Sequence, residues 1–391
     1  MEQLDIFDFL SEKWENTKPI RLIELFAGYG SQALALKYLG VNFTHWRICE
    51  WATKSIQAYN DLHIRDYKDY SSSLNFEELV DYLTKKGISM NYNEPMTFEQ
   101  IKRKGEKWCR ETYNNIIATK NLVNIQNATA KDFDITETDK YTYIMTYSFP
   151  CQSLSISGKM EGMKRDSGTR SGMLWEVERI LKECKELPQI LIMENVTPIH
   201  AKANIEHFKE WILELEKLGY TSIWKDMNSK NYGIPQNRDR TFMISILGNY
   251  NYKMPKQMKL KIRLKDILEK EVDENYYLSE KMIDYISAVG TENFKNPNCK
   301  INLDIARPLT TDPNKRAGTS NYISDELPSN YDLQSLKIKE ANKKGYAEAY
   351  EGDSVNLQNL DSKTRRGRVG KQISQTLMTE CHQGVVIKDG K

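Results

Sequence analysis

The feature that most constrains this chain is a recurrent alternation of short apolar runs and amphipathic stretches that extends to about Leu247. Arg21-Leu22-Ile23-Glu24-Leu25-Phe26 reads as a strand ending in the turn Ala27-Gly28-Tyr29-Gly30, and Ser31 to Gly40 follows as a helix stopped by glycine. The same order returns along the chain. Strands are expected at Thr44 to Cys49, Tyr141 to Tyr147, Ile190 to Met193 and Thr241 to Leu247, and helices at Thr53 to Tyr59, Met173 to Glu186 and Ile205 to Leu218. Repeated strand-then-helix order predicts an α/β class chain with a doubly wound, Rossmann-like sheet.

Two regions depart from that rhythm. Residues 61–125 are polar and largely helical, clearest at Phe76 to Leu83 and Phe98 to Ile117, and read as an insertion between two βα units. After Tyr250 the sequence becomes turn-rich with short strand candidates such as Ile373 to Met378, which predicts a second, smaller, irregular or β-rich domain. The organisation expected is an N-terminal leader over 1–19, a main domain over 20–250 and a second domain over 251–391.

The longest apolar runs fall far short of the ~20 residues a membrane helix needs. The acidic N-terminus lacks a basic segment followed by an apolar core, so a cytoplasmic location is expected. The six cysteines are scattered, with no pair or Cys/His cluster at zinc spacing, so no metal is expected and a reducing compartment fits. Net charge is +2, but residues 248–391 carry 24 basic against 20 acidic side chains, and the preceding part is slightly acidic. Lys363 to Lys371 holds five basic residues in nine with no acid, a pattern that suits either a phosphate-contacting loop or a solvated surface.

The turn at Gly28 and Gly30 is not followed by Gly-Lys-Ser/Thr, and Ala33 stands where a dinucleotide fingerprint has its third glycine. It still lets a ligand approach the backbone at the carboxyl end of the first strand. Glu50, at the end of the second strand, can accept from two ribose hydroxyls, and Trp51 beside it can stack on a purine. That set suits a nucleoside cofactor without a pyrophosphate, S-adenosylmethionine being the common case; a purely structural turn is the alternative. Cys151 follows a strand in Ser148-Phe149-Pro150-Cys151-Gln152, with Lys159, Lys164, Arg165 and Arg170 downstream. A cationic setting favours the thiolate, so Cys151 is a candidate nucleophile rather than a buried hydrophobe. Glu194 lies where the strand Ile190 to Met193 leaves the core, a place that suits an acid with a raised pKa or a plain helix cap. Arg238 and Arg240, two residues apart, are expected on one face of a strand, with an ion pair to Asp239 as the alternative.

Phe-Ala-Gly-x-Gly at 26–30, Pro-Cys-Gln at 150–152, Glu-Asn-Val at 194–196 and Gln-x-Arg-x-Arg at 236–240, in this order, resemble the DNA (cytosine-5) methyltransferase family. The motifs cover roughly residues 20–250, and the stretch from 251 to Lys391 resembles the family's variable target recognition domain. The resemblance implies transfer of a methyl group from S-adenosylmethionine to C5 of a cytosine flipped out of double-stranded DNA, in an enzyme of phage or restriction-modification type. It assigns catalysis to Cys151, Glu194, Arg240 and Arg238. Phe26, Ala27, Gly28, Gly30, Glu50, Trp51, Asn127, Ala128, Pro150 and Leu174 would line the cofactor site. Gln152, Ser157, Arg165, Lys363, Arg365, Arg366 and Arg368 would contact DNA.

The chain departs from the family pattern in three places. Ser31 replaces a second consecutive glycine. Asn127-Ala128 stands where an acidic residue often meets the adenine amine. The family's last two motifs, a supporting helix and a Gly-Asn segment that returns to the cofactor pocket, are not found before Lys391. This leaves open a catalytic chain, or a split or non-catalytic DNA-binding remnant partnered by a second polypeptide that carries the absent motifs.

Overall fold

A computed structural model describes residues 16–150, 163, 165, 170–250, 252–274, 277–279, 300–308, 320–324, 331–332, 336–341, 345–350, 353–356, 369–371 and 383–385. Contacts divide the chain into two units, one comprising residues 1–227 and 239–256, the other 228–238 and 257–391. The segment 228–238, which the sequence groups with the first domain, thus belongs to the second unit.

The first unit is built on a six-stranded sheet. Its strands are β1 (Ile20–Leu25), β2 (Phe43–Cys49), β3 (Thr142–Tyr147), β4 (Ile190–Asn195), β5 (Tyr220–Asn228) and β6 (Asp239–Leu247), in the order β2-β1-β3-β4-β6-β5. β1 runs parallel to β2 and β3, β3 parallel to β4, and β4 antiparallel to β6. The chain moves outward from β1 to β2 and then returns to the other side of β1 for β3. That reversal opens a crevice at the carboxyl ends of β1 and β3, where doubly wound sheets bind ligands.

Helices cover both faces because the strands are apolar on both. Ile20 and Leu22 of β1 pack with Ala33 of α1 (Ser31–Tyr38) and Ile144, whereas Ile23 and Leu25 join Tyr143, Met145 and Tyr147 of β3 in the opposite layer. There α7 (Leu174–Glu183) contributes Leu174, Val177, Ile180 and Leu181, and α8 (Ile205–Lys217) contributes Phe208, Trp211 and Leu215, each a stripe at helical spacing. The Trp211 indole donates to the Tyr147 hydroxyl at 3.1 Å, so the largest buried side chain has its one donor satisfied.

The expected insertion is helical and has its own core. After α2 (Thr53–Tyr59) and a π-helical turn (Asn60–Ile64) come α3 (Phe76–Lys86), α4 (Phe98–Lys102) and α5 (Glu106–Ala118). Leu79, Val80, Leu83, Ile101, Cys109 and Ile116 bury one another and enclose Ile56 of α2. Capping boxes start α3 at Asn75 with Glu78 and α4 at Thr97 with Gln100. The single helix read over Phe98 to Ile117 is two, because the chain turns at Lys104-Gly105, where the Gly105 N–H bonds to the Lys102 carbonyl. A short α6 (Ala130–Phe133) leads into β3.

β5 is absent from the sequence reading. Its residues alternate in no clear apolar pattern, and its partly exposed Lys225 and Asp226 suit the outermost strand of a sheet, where charge discourages pairing with another chain. In the second unit the described residues form short antiparallel pairings. β7 (Lys300–Ile301) pairs with β8 (Tyr331–Asp332), β9 (Leu336–Lys339) with β10 (Tyr346–Ala349), and β11 (Ser354–Asn356) with β12 (Val369–Gly370) and β13 (Gln383–Val385). Ile338, Ala349 and Val355 form a small core there. The expected strand Ile373 to Met378 lies outside the described residues. Among the described residues no helix is long and apolar enough to cross a membrane.

Candidate functional site

Four segments meet at the carboxyl edge of the sheet. The first is the turn after β1. Phe26 takes a left-handed φ of 56°, and its N–H and that of Ala27 both donate to the Cys49 carbonyl, at 2.7 and 3.3 Å, which ties the turn to the end of β2. A non-glycine residue in that region costs about 1–3 kcal/mol, which the two hydrogen bonds help to offset.

Gly28 and Gly30 serve different needs. Both have positive φ, 55° and 81°. A Cβ on Gly30 would lie 2.5 Å from His63 Nε2 and 2.7 Å from the Tyr59 ring, whereas one on Gly28 would meet nothing within 4 Å. Packing therefore demands glycine at position 30 and leaves a cradle at position 28 that a ligand can fill. Gly30→Ala should cost about 2–4 kcal/mol, from left-handed strain together with overpacking. Gly28→Ala should cost only about 1 kcal/mol and instead weaken ligand binding. Urea denaturation alongside ligand titration checks the pair; equal stability losses would defeat this division of roles.

Under the turn lies a buried polar row. Glu24, fully buried on β1, accepts from the Ala33 N–H at 3.2 Å and from the Tyr59 hydroxyl, which in turn meets His45 Nδ1 at 2.8 Å. Burial pushes the Glu24 carboxyl up to about 7, against the opposing pull of Tyr59, Ala33 N–H and Lys37. Burial, with Lys37, His63 and Lys120 nearby, pushes His45 down to about 4. Between pH 4.5 and 7 the folded chain holds a proton at Glu24 that the unfolded chain releases, so this contribution is full below 4.5 and is lost as pH rises through 7. His45 acts oppositely and loses stability as pH falls from 6.5 toward 4. Glu24→Gln keeps an acceptor for the Ala33 N–H and removes the titrating carboxyl. Its stability relative to wild type should therefore rise by on the order of 1–3 kcal/mol from pH 5 to pH 8; a difference that stays level across urea titrations would refute this.

The second segment is the end of β2. Glu50 is buried, and each carboxylate oxygen accepts a backbone N–H, Oε2 from Gly28 at 2.8 Å and Oε1 from Ala52 at 2.7 Å. Burial raises its pKa, while the N–H groups of Ala52, Gly28 and Trp51 favour the charged form. The two donors fix the carboxylate plane and leave lone pairs on both oxygens for a diol. Trp51 packs against the core of the insertion. Nearby, Asn127 donates from Nδ2 to the Lys85 carbonyl at 3.2 Å, which makes Oδ1 the end that can accept. Ala128 and Leu174 are buried in the core cluster that also holds Leu25 and Phe149, and Phe26 packs against it.

The third segment, after β3, is Ser148-Phe149-Pro150. Asn195 Nδ2 donates to the Phe149 carbonyl at 3.1 Å and holds this stretch against β4. Cys151, Gln152 and Ser157 lie outside the described residues, as do Lys363, Arg365, Arg366 and Arg368. The fourth segment joins β4 and β6. Glu194 is in register with Phe242, which puts Arg240 diagonally across the ladder, and Arg240 Nε lies 2.9 Å from Glu194 Oε1 with both side chains about one-fifth exposed. Arg240 thus pairs with Glu194, and its Nη1 donates to the Asp239 carbonyl. Arg238 precedes β6, and its carbonyl accepts from the Ser229 N–H.

Arg165, expected at DNA, has intramolecular partners. Its guanidinium lies 3.7 Å over the Trp175 ring, bonds to buried Glu178 and pairs with Glu210 at 2.6 Å, while the Trp175 indole donates to the Met163 carbonyl. Those carboxylates raise its pKa further and commit it to bracing α7 against α8. The sequence reading missed the support beneath the turn, Tyr59 and His63; a histidine four residues after a tyrosine near a helix end is too common a pattern to single out.

The chain matches the model of the family described as C-5 cytosine-specific DNA methylase over residues 74–375. It is 34% identical over 290 residues to a type II methyltransferase, M2.ScrFI, of Lactococcus lactis subsp. cremoris, an alignment that covers 71% of this chain and 77% of that protein. It is 37% identical over 278 residues to the orphan methyltransferase M.SssI of Spiroplasma monobiae, covering 69% and 70%. With the four segments brought to one edge of the sheet and these matches across most of its length, the chain belongs to the C-5 cytosine-specific DNA methylase family.

Proposed function

We propose that this protein transfers a methyl group from S-adenosylmethionine to C5 of a cytosine in double-stranded DNA. The observation that carries the reading is the pairing of Glu194 with Arg240 at the sheet edge where Asn195 tethers the residues just before Cys151.

A base inside a duplex is out of reach, so the cytosine is flipped out at a cost of a few kcal/mol. The Cys151 thiolate would form a bond to C6 as the C5–C6 electron pair shifts toward C4 and N3, where Glu194, its carboxylate having taken up a proton from water, would supply that proton. C5, now enamine-like, would take the methyl carbon of S-adenosylmethionine, the C–S electron pair staying on sulfur to leave S-adenosylhomocysteine. N3 would then return its proton to Glu194, a base would remove the C5 proton, and the C5–C6 double bond would re-form as the thiolate leaves. Arg240, with Arg238, orients the ring through O2 and offsets the developing charge.

The residues present fit the cofactor. The cradle over Gly28 would admit it, Glu50 would accept from the ribose hydroxyls, Trp51 would flank the adenine, and Asn127 Oδ1 would accept from its amine. The bound sulfonium supplies an electrophilic methyl group. In the second unit the basic run containing Lys363, Arg365, Arg366 and Arg368 is assigned to phosphates and guanine edges, with Gln152 and Ser157 contacting DNA beside the flipped base.

The test is transfer of labelled methyl to plasmid DNA, followed by digestion to nucleosides, alongside incubation with a duplex carrying 5-fluorocytosine. Label in 5-methylcytosine and a denaturation-resistant protein–DNA adduct are expected. Label on an exocyclic nitrogen, or none despite DNA binding, would overturn the reading.

A further inference from the structure

The insertion runs from the end of α2 at Tyr59 to the residue before Ile125, and both of its ends bond to the backbone of the two elements that form the cofactor site. At its start the π-helical turn carries His63 beneath the glycine turn. A carbonyl can only accept, so the 2.8 Å contact fixes His63 Nε2 as donor to the Tyr29 oxygen, and Nδ1 then accepts from Lys37 Nζ at 3.2 Å. Tyr29 lies between Gly28 and Gly30, and the closeness of His63 is what forbids a side chain on Gly30. π-Helical turns recur where a side chain must be brought to a functional position.

At its end Asn121, buried to 4% exposure, accepts through Oδ1 from the Glu50 N–H at 3.1 Å and donates through Nδ2 to the Glu50 carbonyl at 2.8 Å. Its Oδ1 also accepts from the Val123 N–H at 2.8 Å. One side-chain amide thereby grips both backbone groups of the residue whose carboxylate faces the ribose. Both contacts lie between segments far apart in sequence, 34 residues for Tyr29 with His63 and 71 for Glu50 with Asn121. Neither is a helix cap or a local turn.

We infer that His63 and Asn121 are positioning residues for the cofactor, and that the insertion is a brace which sets the glycine turn and Glu50 at the spacing the nucleoside requires. The inference rests on the S-adenosylmethionine reading of that site. Neither residue touches the reacting atoms, so each acts on cofactor affinity and not on the chemical step.

The test uses the full chain. Binding of S-adenosylhomocysteine is measured by calorimetry, and KM for S-adenosylmethionine, KM for DNA and kcat are measured for wild type, His63→Leu, His63→Gln, Asn121→Leu, Asn121→Asp and Ile101→Ala. His63→Leu and Asn121→Leu should raise the S-adenosylhomocysteine Kd and the cofactor KM at least tenfold, with kcat at saturation and KM for DNA within about threefold. His63→Gln, which keeps a donor toward Tyr29, should recover most of the affinity. Asn121→Asp, which keeps an acceptor for both N–H groups but turns an anionic oxygen toward the Glu50 carbonyl, should raise the S-adenosylhomocysteine Kd at least about threefold and gives a readout if the leucine variant does not fold. Ile101→Ala, a cavity in the core of the insertion, should destabilise without the affinity loss. Unchanged affinity in the leucine variants or in Asn121→Asp, a loss in kcat instead of KM, or an equal affinity loss in Ile101→Ala overturns the inference. Failure of wild type to bind S-adenosylhomocysteine overturns the cofactor reading and this inference together, which separates the two outcomes.

Discussion

Cys151→Ser is expected to lower methyl transfer at least ~10⁴-fold, more than 5 kcal/mol of transition-state stabilisation, while DNA affinity stays within about threefold. The size reflects the task of the nucleophile. Without the C6–S bond, C5 of cytosine has no enamine character and is too weak a nucleophile to take the methyl group. Serine keeps the volume but its hydroxyl stays protonated near neutral pH. No described cysteine can substitute. Burial pushes Cys109 and Cys184 up to about 11 and pushes Cys49 higher still, so these thiols stay protonated at neutral pH. Single-turnover transfer measured beside gel-shift titration with the same duplex checks this. A serine variant that retains a tenth of the wild-type rate would remove Cys151 from the mechanism.

The sheet was legible in the sequence because buried parallel strands must be apolar on both faces, and β1 and β3 read that way without ambiguity. The site was legible for a related reason. Glu50 directly follows β2 and Glu194 is next to last in β4, so both acids fall at strand ends as expected. β5 was not legible, since an edge strand takes its place by pairing with β6 and not by an apolar pattern of its own. Charge alone does not tell a phosphate ligand from a brace, and Glu178 and Glu210, the partners of Arg165, lie 13 and 45 residues away. The contacts of His63 and Asn121 arise from folding across tens of residues, and no local spacing encodes them.

Glu194→Gln should be the next most damaging change, lowering kcat by about 10²–10⁴ while leaving the KM for S-adenosylmethionine within about twofold. Glutamine preserves the shape and can still hydrogen-bond the ring edge, but it cannot deliver a proton to N3, so the C6 adduct forms without a charge sink. On the proposed mechanism Arg240 bears on the same step, since it lies 2.9 Å from Glu194. Arg240→Ala should cost less, about 10–10²-fold, because it loses orientation and charge compensation but leaves the acid in place. The two groups act on one developing charge, so their losses should not add. The double variant should fall short of the product of the single losses by at least tenfold, a coupling of about 1.4 kcal/mol or more. Single-turnover rates for the four proteins of this cycle, with the rate of adduct formation on 5-fluorocytosine duplex as a second readout, give that coupling directly. Strictly multiplicative losses would mean that the ion pair at the end of β4 and β6 holds the sheet edge together and takes no part in activating the ring.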